Sequence, residues 1–134
     1  MSWDIFVQDL PQSARSIDEI PEDFRPGLIG RKSDLISEIT KVVPFADFSD
    51  RSWGRIDGPG FSIEVNLGID EDVQHFAFHV RGDDIAAAVV VDILACLRLR
   101  ALDPSSASGI LDMNSDYTAS MQKWRLYRAS VMSR

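Results

Sequence analysis

The stretch 61–81 constrains the fold more than any other part of the chain. Phe61, Ile63, Val65 and Leu67 alternate with Ser62, Glu64 and Asn66. After an acidic interval at 68–72 the alternation resumes, with Phe76, Phe78 and Val80 set against His75, Ala77, His79 and Arg81. A side-chain period of two marks strands with one apolar and one polar face. Turning the apolar sides together predicts a hairpin in which Phe61 opposes Val80, Ile63 opposes Phe78 and Val65 opposes Phe76. A slip of one residue would expose every apolar side chain, so the parity of the pairing is strongly specified.

The same pairing sets Ser62 opposite His79, Asn66 opposite His75 and Glu64 opposite Ala77. Glu64 then lies diagonally between the two histidines, at ~7–8 Å between Cα atoms, and Arg81 extends the row. Glu64, Asn66, His75, His79 and Arg81 are therefore the candidate binding residues. A carboxylate that orients an imidazole suits acid–base or binding chemistry near neutral pH. The plain alternative is that a one-sided sheet has a polar outer face whatever the protein does. No metal site is expected. His75 and His79 are separated by Phe76, Ala77 and Phe78 on a strand, ~13 Å along it, whereas two imidazoles on one zinc both lie ~2.1 Å from the ion.

The remaining elements follow from local signals. Trp3, Ile5 and Val7 alternate with Asp4 and Gln8, predicting a strand over about 2–9, with Phe6 breaking the pattern as though the strand were partly covered on both sides. Residues 10–30 carry Pro11, Pro21, Pro26, Gly27 and Gly30 with an acidic patch at Asp18, Glu19, Glu22 and Asp23. They read as an irregular segment with one helical turn, stapled by Ile17, Ile20, Phe24 and Leu28. Leu35, Ile36, Ile39, Val42 and Val43 predict a helix over 31–43, capped by Ser33 or Gly30 and stopped by Pro44. Phe45 and Phe48 then plug the core edge, and a strand follows at 52–56. Asp57, Gly58, Pro59 and Gly60 are the strongest turn signal in the chain.

Asp83 and Asp84 open a second helix over 84–98, apolar nearly all round and so central, with Cys96 on its buried side. A short strand at 99–102 ends at Pro104. A serine-rich loop follows over 103–115, with a short strand at Ile110 and Leu111. A last helix at 116–132 places Tyr117, Met121, Trp124 and Val131 on one stripe with Tyr127 beside it. The expectation is one domain over 1–134, an α+β two-layer fold with a mostly antiparallel sheet and helices on one face. Its order is β-α-β-β-β-α-β-α, similar to a ferredoxin-like plait with an inserted strand and an added helix.

The chain holds 14 basic and 21 acidic side chains for a net charge of −7, and one cysteine. An acidic balance speaks against nucleic acid, whose binders are basic. Residues 116–134 are locally basic, and Arg125 and Arg128 interleave with Trp124 and Tyr127, but the helical spacing of the aromatics assigns them to packing. No apolar run approaches a membrane span, and the first residues lack the basic flank and apolar core of a secretory leader. A lone cysteine fits a reducing, cytoplasmic setting. No cofactor is expected, because there is no phosphate-binding lysine loop or dinucleotide glycine fingerprint. The 57–60 turn joins two strands rather than opening a helix. The acidic residues at 70–72 lack the length and spacing of a calcium loop. Ser105, Ser106 and Ser108 have no nucleophile-elbow context and read as loop and cap residues.

The runs Ser2-Trp-Asp-Ile-Phe-Val-Gln-Asp-Leu-Pro11, Ser52-Trp-Gly-Arg-Ile-Asp-Gly-Pro-Gly60 and Phe78-His-Val-Arg-Gly82 resemble a family of small uncharacterised bacterial single-domain proteins. That resemblance implies a bacterial, cytoplasmic, single-domain protein and carries no site residue. Three functional readings remain. The first is a non-enzymatic binding protein, such as an inhibitor or immunity-type partner of a basic protein, with the acidic residues at 18–23 and 70–72 steering association. The second is a small-ligand binder or enzyme that uses Glu64, Asn66, His75, His79 and Arg81 beneath a roof formed by 10–30. The third is a homodimer, formed sheet to sheet or through the last helix.

Overall fold

In a computed structural model, residues 3–111 and 118–132 are described. The elements are β1 (Trp3–Gln8), a 3-10 turn (Ile17–Glu19), β2 (Gly30–Arg31), α1 (Lys32–Val42), β3 (Trp53–Gly58), β4 (Phe61–Asn66), β5 (Asp72–Val73), β6 (His75–Gly82), α2 (Asp84–Leu97), β7 (Arg100–Leu102) and α3 (Thr118–Met132). The main sheet has the order β3-β4-β6-β1-β7, antiparallel throughout, and β2 pairs with β5 in a separate two-stranded sheet. Leaving aside β3 at the sheet edge, the two short strands and α3, the chain runs β-α-β-β-α-β. The α+β reading of the sequence holds. The residues expected at 116 and 117 in the last helix, including Tyr117, lie outside the described residues.

Ile5, Val7, Ile56, Ile63, Val65, Phe76, Phe78 and Val80 form the buried face of the sheet. Leu35 and Ile39 of α1 and Ala86, Val89, Val90 and Ile93 of α2 pack against it in one core. Asp83 caps α2 by accepting the Ile85 N–H at 3.1 Å, and Arg98 ends the helix in the left-handed region at φ 57°. Cys96 departs from its expected place. It is exposed, although Leu97 beside it in the last turn still packs against the core, and its Sγ lies 3.5 Å from Glu38 of α1. Loss of water around the thiol, then the Glu38 carboxylate beside it, raises its pKa above the ordinary value.

The third helix buries one residue fully, Trp124. Its ring is edge-on to Phe45 at 6.0 Å, and its indole N–H donates to Asp92 of α2 at 3.0 Å. Tyr127 beside it packs edge-on to Phe45 and Phe61. Phe48 plugs the far edge through a close approach: a Cβ on the buried Gly54 would stand 2.3 Å from its ring.

The hairpin keeps the expected parity but not the expected partners. Ile63 pairs with Val80, Val65 with Phe78 and Phe61 with Gly82, a shift of two residues from the register inferred above. The two registers have identical inward and outward faces, so the apolar pattern does not choose between them. The choice falls to the connection. Asp72 and Val73 leave the hairpin to pair with Arg31 and Gly30, and the β4 pairing ends at Asn66 opposite Ala77, so Phe76 is paired only on its other edge, with Val7 of β1.

Two local expectations are corrected, the first by the same connection. Helix α1 is not capped by Ser33 or Gly30; Arg31 stands at its N-cap with no side-chain cap bond. The segment 67–74 supplies the cap instead. The Glu71 carbonyl accepts the Lys32 N–H at 2.7 Å, and its carboxylate accepts the Ser33 N–H at 3.2 Å and the Ser33 hydroxyl. Arg51 and Arg31 complete the cluster at 3.3 and 3.9 Å. The 10–30 segment is likewise held differently. Of the expected staples Ile20 and Phe24 are half-buried but Ile17 and Leu28 are exposed, and buried Leu10 and Ala14 and the Arg100 guanidinium, which donates to the Pro11 and Ala14 carbonyls, add to the hold.

Trp124→Ala will lower unfolding stability by about 3–5 kcal/mol, from a cavity plus an Asp92 carboxylate left without its donor. Trp124→Phe will lose less, and urea titration of both variants checks the order. Acid stability provides a second test. Ser33 donors, with Arg51 and Arg31, hold the Glu71 carboxyl below its ordinary value of 4.5. Its contribution is therefore complete above that value and fades as pH falls through the lower, folded one. Glu71→Gln will flatten this part of the acid limb in a pH series of urea midpoints. An unchanged limb would show that the cluster adds nothing.

Candidate functional site

The outer face of the sheet is organised in rows that the strand pairings define. One row crosses four strands as Arg55, Glu64, His79 and Asp4, alternating in charge when His79 is protonated. The next crosses all five as Trp53, Asn66, Ala77, Phe6 and Leu102. Beyond it, His75 pairs with Gln8. The two-residue correction in register decides this arrangement. Glu64 directly faces His79 rather than lying diagonally between two histidines, and His75 sits past the end of β4. The five candidate residues do share the face, but they do not form one cluster. Arg81 stands opposite Ser62, whose hydroxyl donates to Asp57 at 2.8 Å.

His79 is the most constrained of the five. Asp4 on the neighbouring strand lies 2.9 Å from its Nδ1, and the Trp53 ring stacks on it with centroids 5.7 Å apart and planes 20° from parallel. An ionised carboxylate only accepts, so the Asp4 contact places the ring proton on Nδ1 and leaves Nε2 as the free acceptor of a neutral imidazole. Neither Asp4 nor Trp53 was identifiable as a neighbour of His79 from the sequence. The available signal was their alternation: Asp4 falls on the polar side of β1, and Trp53 is on the same parity as Arg55. What was missing was the strand order that puts β1 beside β6.

A cleft of about 640 Å³ opens over this face. Phe6, Ala77 and Leu102 form its apolar part, and Gln8, Asn66, His75 and His79 its polar part. Three of the five candidates, Asn66, His75 and His79, line it, whereas Glu64 and Arg81 do not. No residue of 10–30 lines it, so the expected roof is absent from this cleft. Among the described residues no Ser, Thr or Cys side chain lines it. The arrangement suits recognition: apolar surface with an oriented imidazole at its edge.

The acidic stretches, singled out as steering elements, behave unequally. Glu71 is consumed by the α1 cap and its two arginines. Glu19 accepts the Arg15 N–H at 2.7 Å. Asp18, Glu22 and Asp23 are exposed and line neither this cleft nor the one beside it. Asp70 and Asp72 are exposed too, and no side-chain bond engages them among the described residues. The serines of the 103–111 loop are structural. Buried Asp103 accepts the Trp3 indole N–H and the Ser105 hydroxyl, and Ser106 and Ser108 donate to the Ile110 carbonyl.

Among the described residues no group of three or more His, Cys, Asp or Glu side chains could hold a metal ion, and no helix is long and apolar enough to cross a membrane. No match to this chain was found among family models, curated proteins or solved structures. The imidazole geometry has a direct check. Nitrogen-15 spectra at neutral to alkaline pH will show His79 as the Nδ1–H tautomer, and Asp4→Ala will shift it toward the Nε2–H form common in free histidine. A native ring already protonated on Nε2 would contradict the Asp4 contact.

Proposed function

We propose that this chain is a binding protein that engages a basic protein partner through the outer face of its sheet. The observation that carries the reading is the row Trp53, Ala77, Phe6 and Leu102. A sheet covered by helices on one side needs apolar residues only on that side, yet Phe6 is 42% and Trp53 39% exposed on the other. Protein interfaces are organised around such aromatic anchors inside a polar rim. Here the rim is Arg55, Glu64, His79 and Asp4 on one flank and Gln8 and His75 on the other. The side chains stand on strands, so little ordering opposes association. A net charge of −7 favours a positively charged partner and accelerates its encounter.

The pair Phe6→Glu and Leu102→Glu tests the reading, because both side chains face water and their loss leaves the core intact. Immobilised wild-type protein will retain a partner of basic isoelectric point at low salt and release it as ionic strength rises. The double variant will retain about tenfold less or none. Retention that is equal in the two proteins would overturn the reading. So would a wild-type chain that is dimeric and a variant that is monomeric by light scattering, since that outcome assigns the face to a second copy.

A small ligand is the second reading, favoured by one observation: the cleft, of about 640 Å³, falls within the ~300–1,000 Å³ range of ligand sites and is lined by His79, whose ring Asp4 orients. A small molecule that copurifies with the wild type and is lost from His79→Ala would establish it in place of the first.

A further inference from the structure

The cleft over the sheet adjoins a second one. The two share Gly68 and His75 as lining residues, and the second, of about 480 Å³, is walled by Leu28, Ile69, Asp70, Glu71 and Asp72. Their chemistry differs. The first is apolar along Phe6, Ala77 and Leu102. The second carries three carboxylates, of which only Glu71 is engaged by other described side chains, with Leu28 61% and Ile69 88% exposed on its rim. At the junction Gly68 has φ +79° and nothing within 4 Å of where a Cβ would stand, so the surface there is open above the backbone.

We infer that the two clefts together form one groove for an extended segment of the partner in which apolar side chains are followed by Lys or Arg. The inference rests on the outer-face reading and adds to it the chemistry and mode of the partner. An extended chain advances ~3.3 Å per residue with side chains alternating, so successive residues of one segment reach first one half and then the other. Apolar side chains of the partner cover Phe6 and Leu102, which water contacts in the free protein. Its cations reach Asp70 and Asp72, whose carboxylates have no partner among the described side chains. Glu71 contributes negative charge but little binding, since Arg31, Arg51 and the α1 cap already hold it. The charge complementarity is local. It resides in Asp70 and Asp72 at the end of the groove rather than in the acidic patch at 18–23, which lines neither half.

A random nine-residue peptide library displayed on phage, selected on immobilised full-length protein, tests the inference. Enriched peptides will carry an apolar pair next to Lys or Arg, and their binding will weaken as salt rises. Two double variants separate the halves: Phe6→Glu with Leu102→Glu, and Asp70→Lys with Asp72→Lys. Each will weaken the synthesised peptide at least about tenfold, and Asp18→Lys with Asp23→Lys will not. If only the Phe6 and Leu102 variant weakens binding, the two-part groove is wrong while the outer-face reading stands. If neither variant changes binding, both are wrong. A library that yields no peptide sensitive to the Asp70 and Asp72 variant also overturns the groove, and the capture experiment then judges the face alone.

Discussion

Strand β6 is hydrogen-bonded on both sides, to β4 and to β1, and everything else in the sheet is referred to it. Its side chains alternate strictly between the two faces. Phe76, Phe78 and Val80 therefore enter the core beneath α1 and α2, while Ala77, His79 and Arg81 stand on the outer face. Because the strand is central, its neighbours inherit that division. Asp4 and Phe6 of β1, Glu64 and Asn66 of β4 and Trp53 and Arg55 of β3 are all placed outward by pairing steps that begin at β6. The apolar row and the charged row are consequences of one parity, propagated across the sheet.

That dependence also separates what could be read in the residues from what could not. The alternation of Phe61 to Leu67 and of Phe76 to Val80 determines which side chains are buried, and the structure buries them. The absolute register is another matter. Shifts by an even number of residues preserve the buried face, and the difference is settled where Asp72 and Val73 leave the hairpin to pair with Arg31 and Gly30. Those are contacts between segments distant in sequence, and no local pattern encodes them. The same cause explains the partial view of the site. His79 was identifiable as an outward histidine, but its partners Asp4 and Trp53 come from strands 75 and 26 positions away in the chain. Glu64 was identifiable too, and proved to face His79 directly.

Termini and loops show a second kind of gap. Cys96 has the spacing of a core residue on α2, yet it is exposed beside Glu38 of α1 while its neighbour Leu97 packs inward, a difference periodicity alone does not register. Ile17 and Leu28 were natural staples for the 10–30 segment, but polar bonds from Arg100 fix that segment and leave both exposed. Glu71 reads as part of a free acidic stretch and instead caps the start of α1. In each case a tertiary partner has replaced the solvent exposure or local cap that composition suggests.

The functional account rests on the outer face being built as the register requires, with Glu64 opposite His79 and Phe6 opposite Ala77. Two-dimensional proton spectra measure this directly through cross-strand contacts. The account predicts backbone cross-peaks between the Glu64 and His79 pair or their immediate neighbours in this register, together with Trp53 indole to His79 ring and Phe6 ring to Ala77 methyl cross-peaks. Cross-peaks that place Glu64 against Ala77, or the Phe6 ring against the valines of α2, would contradict it.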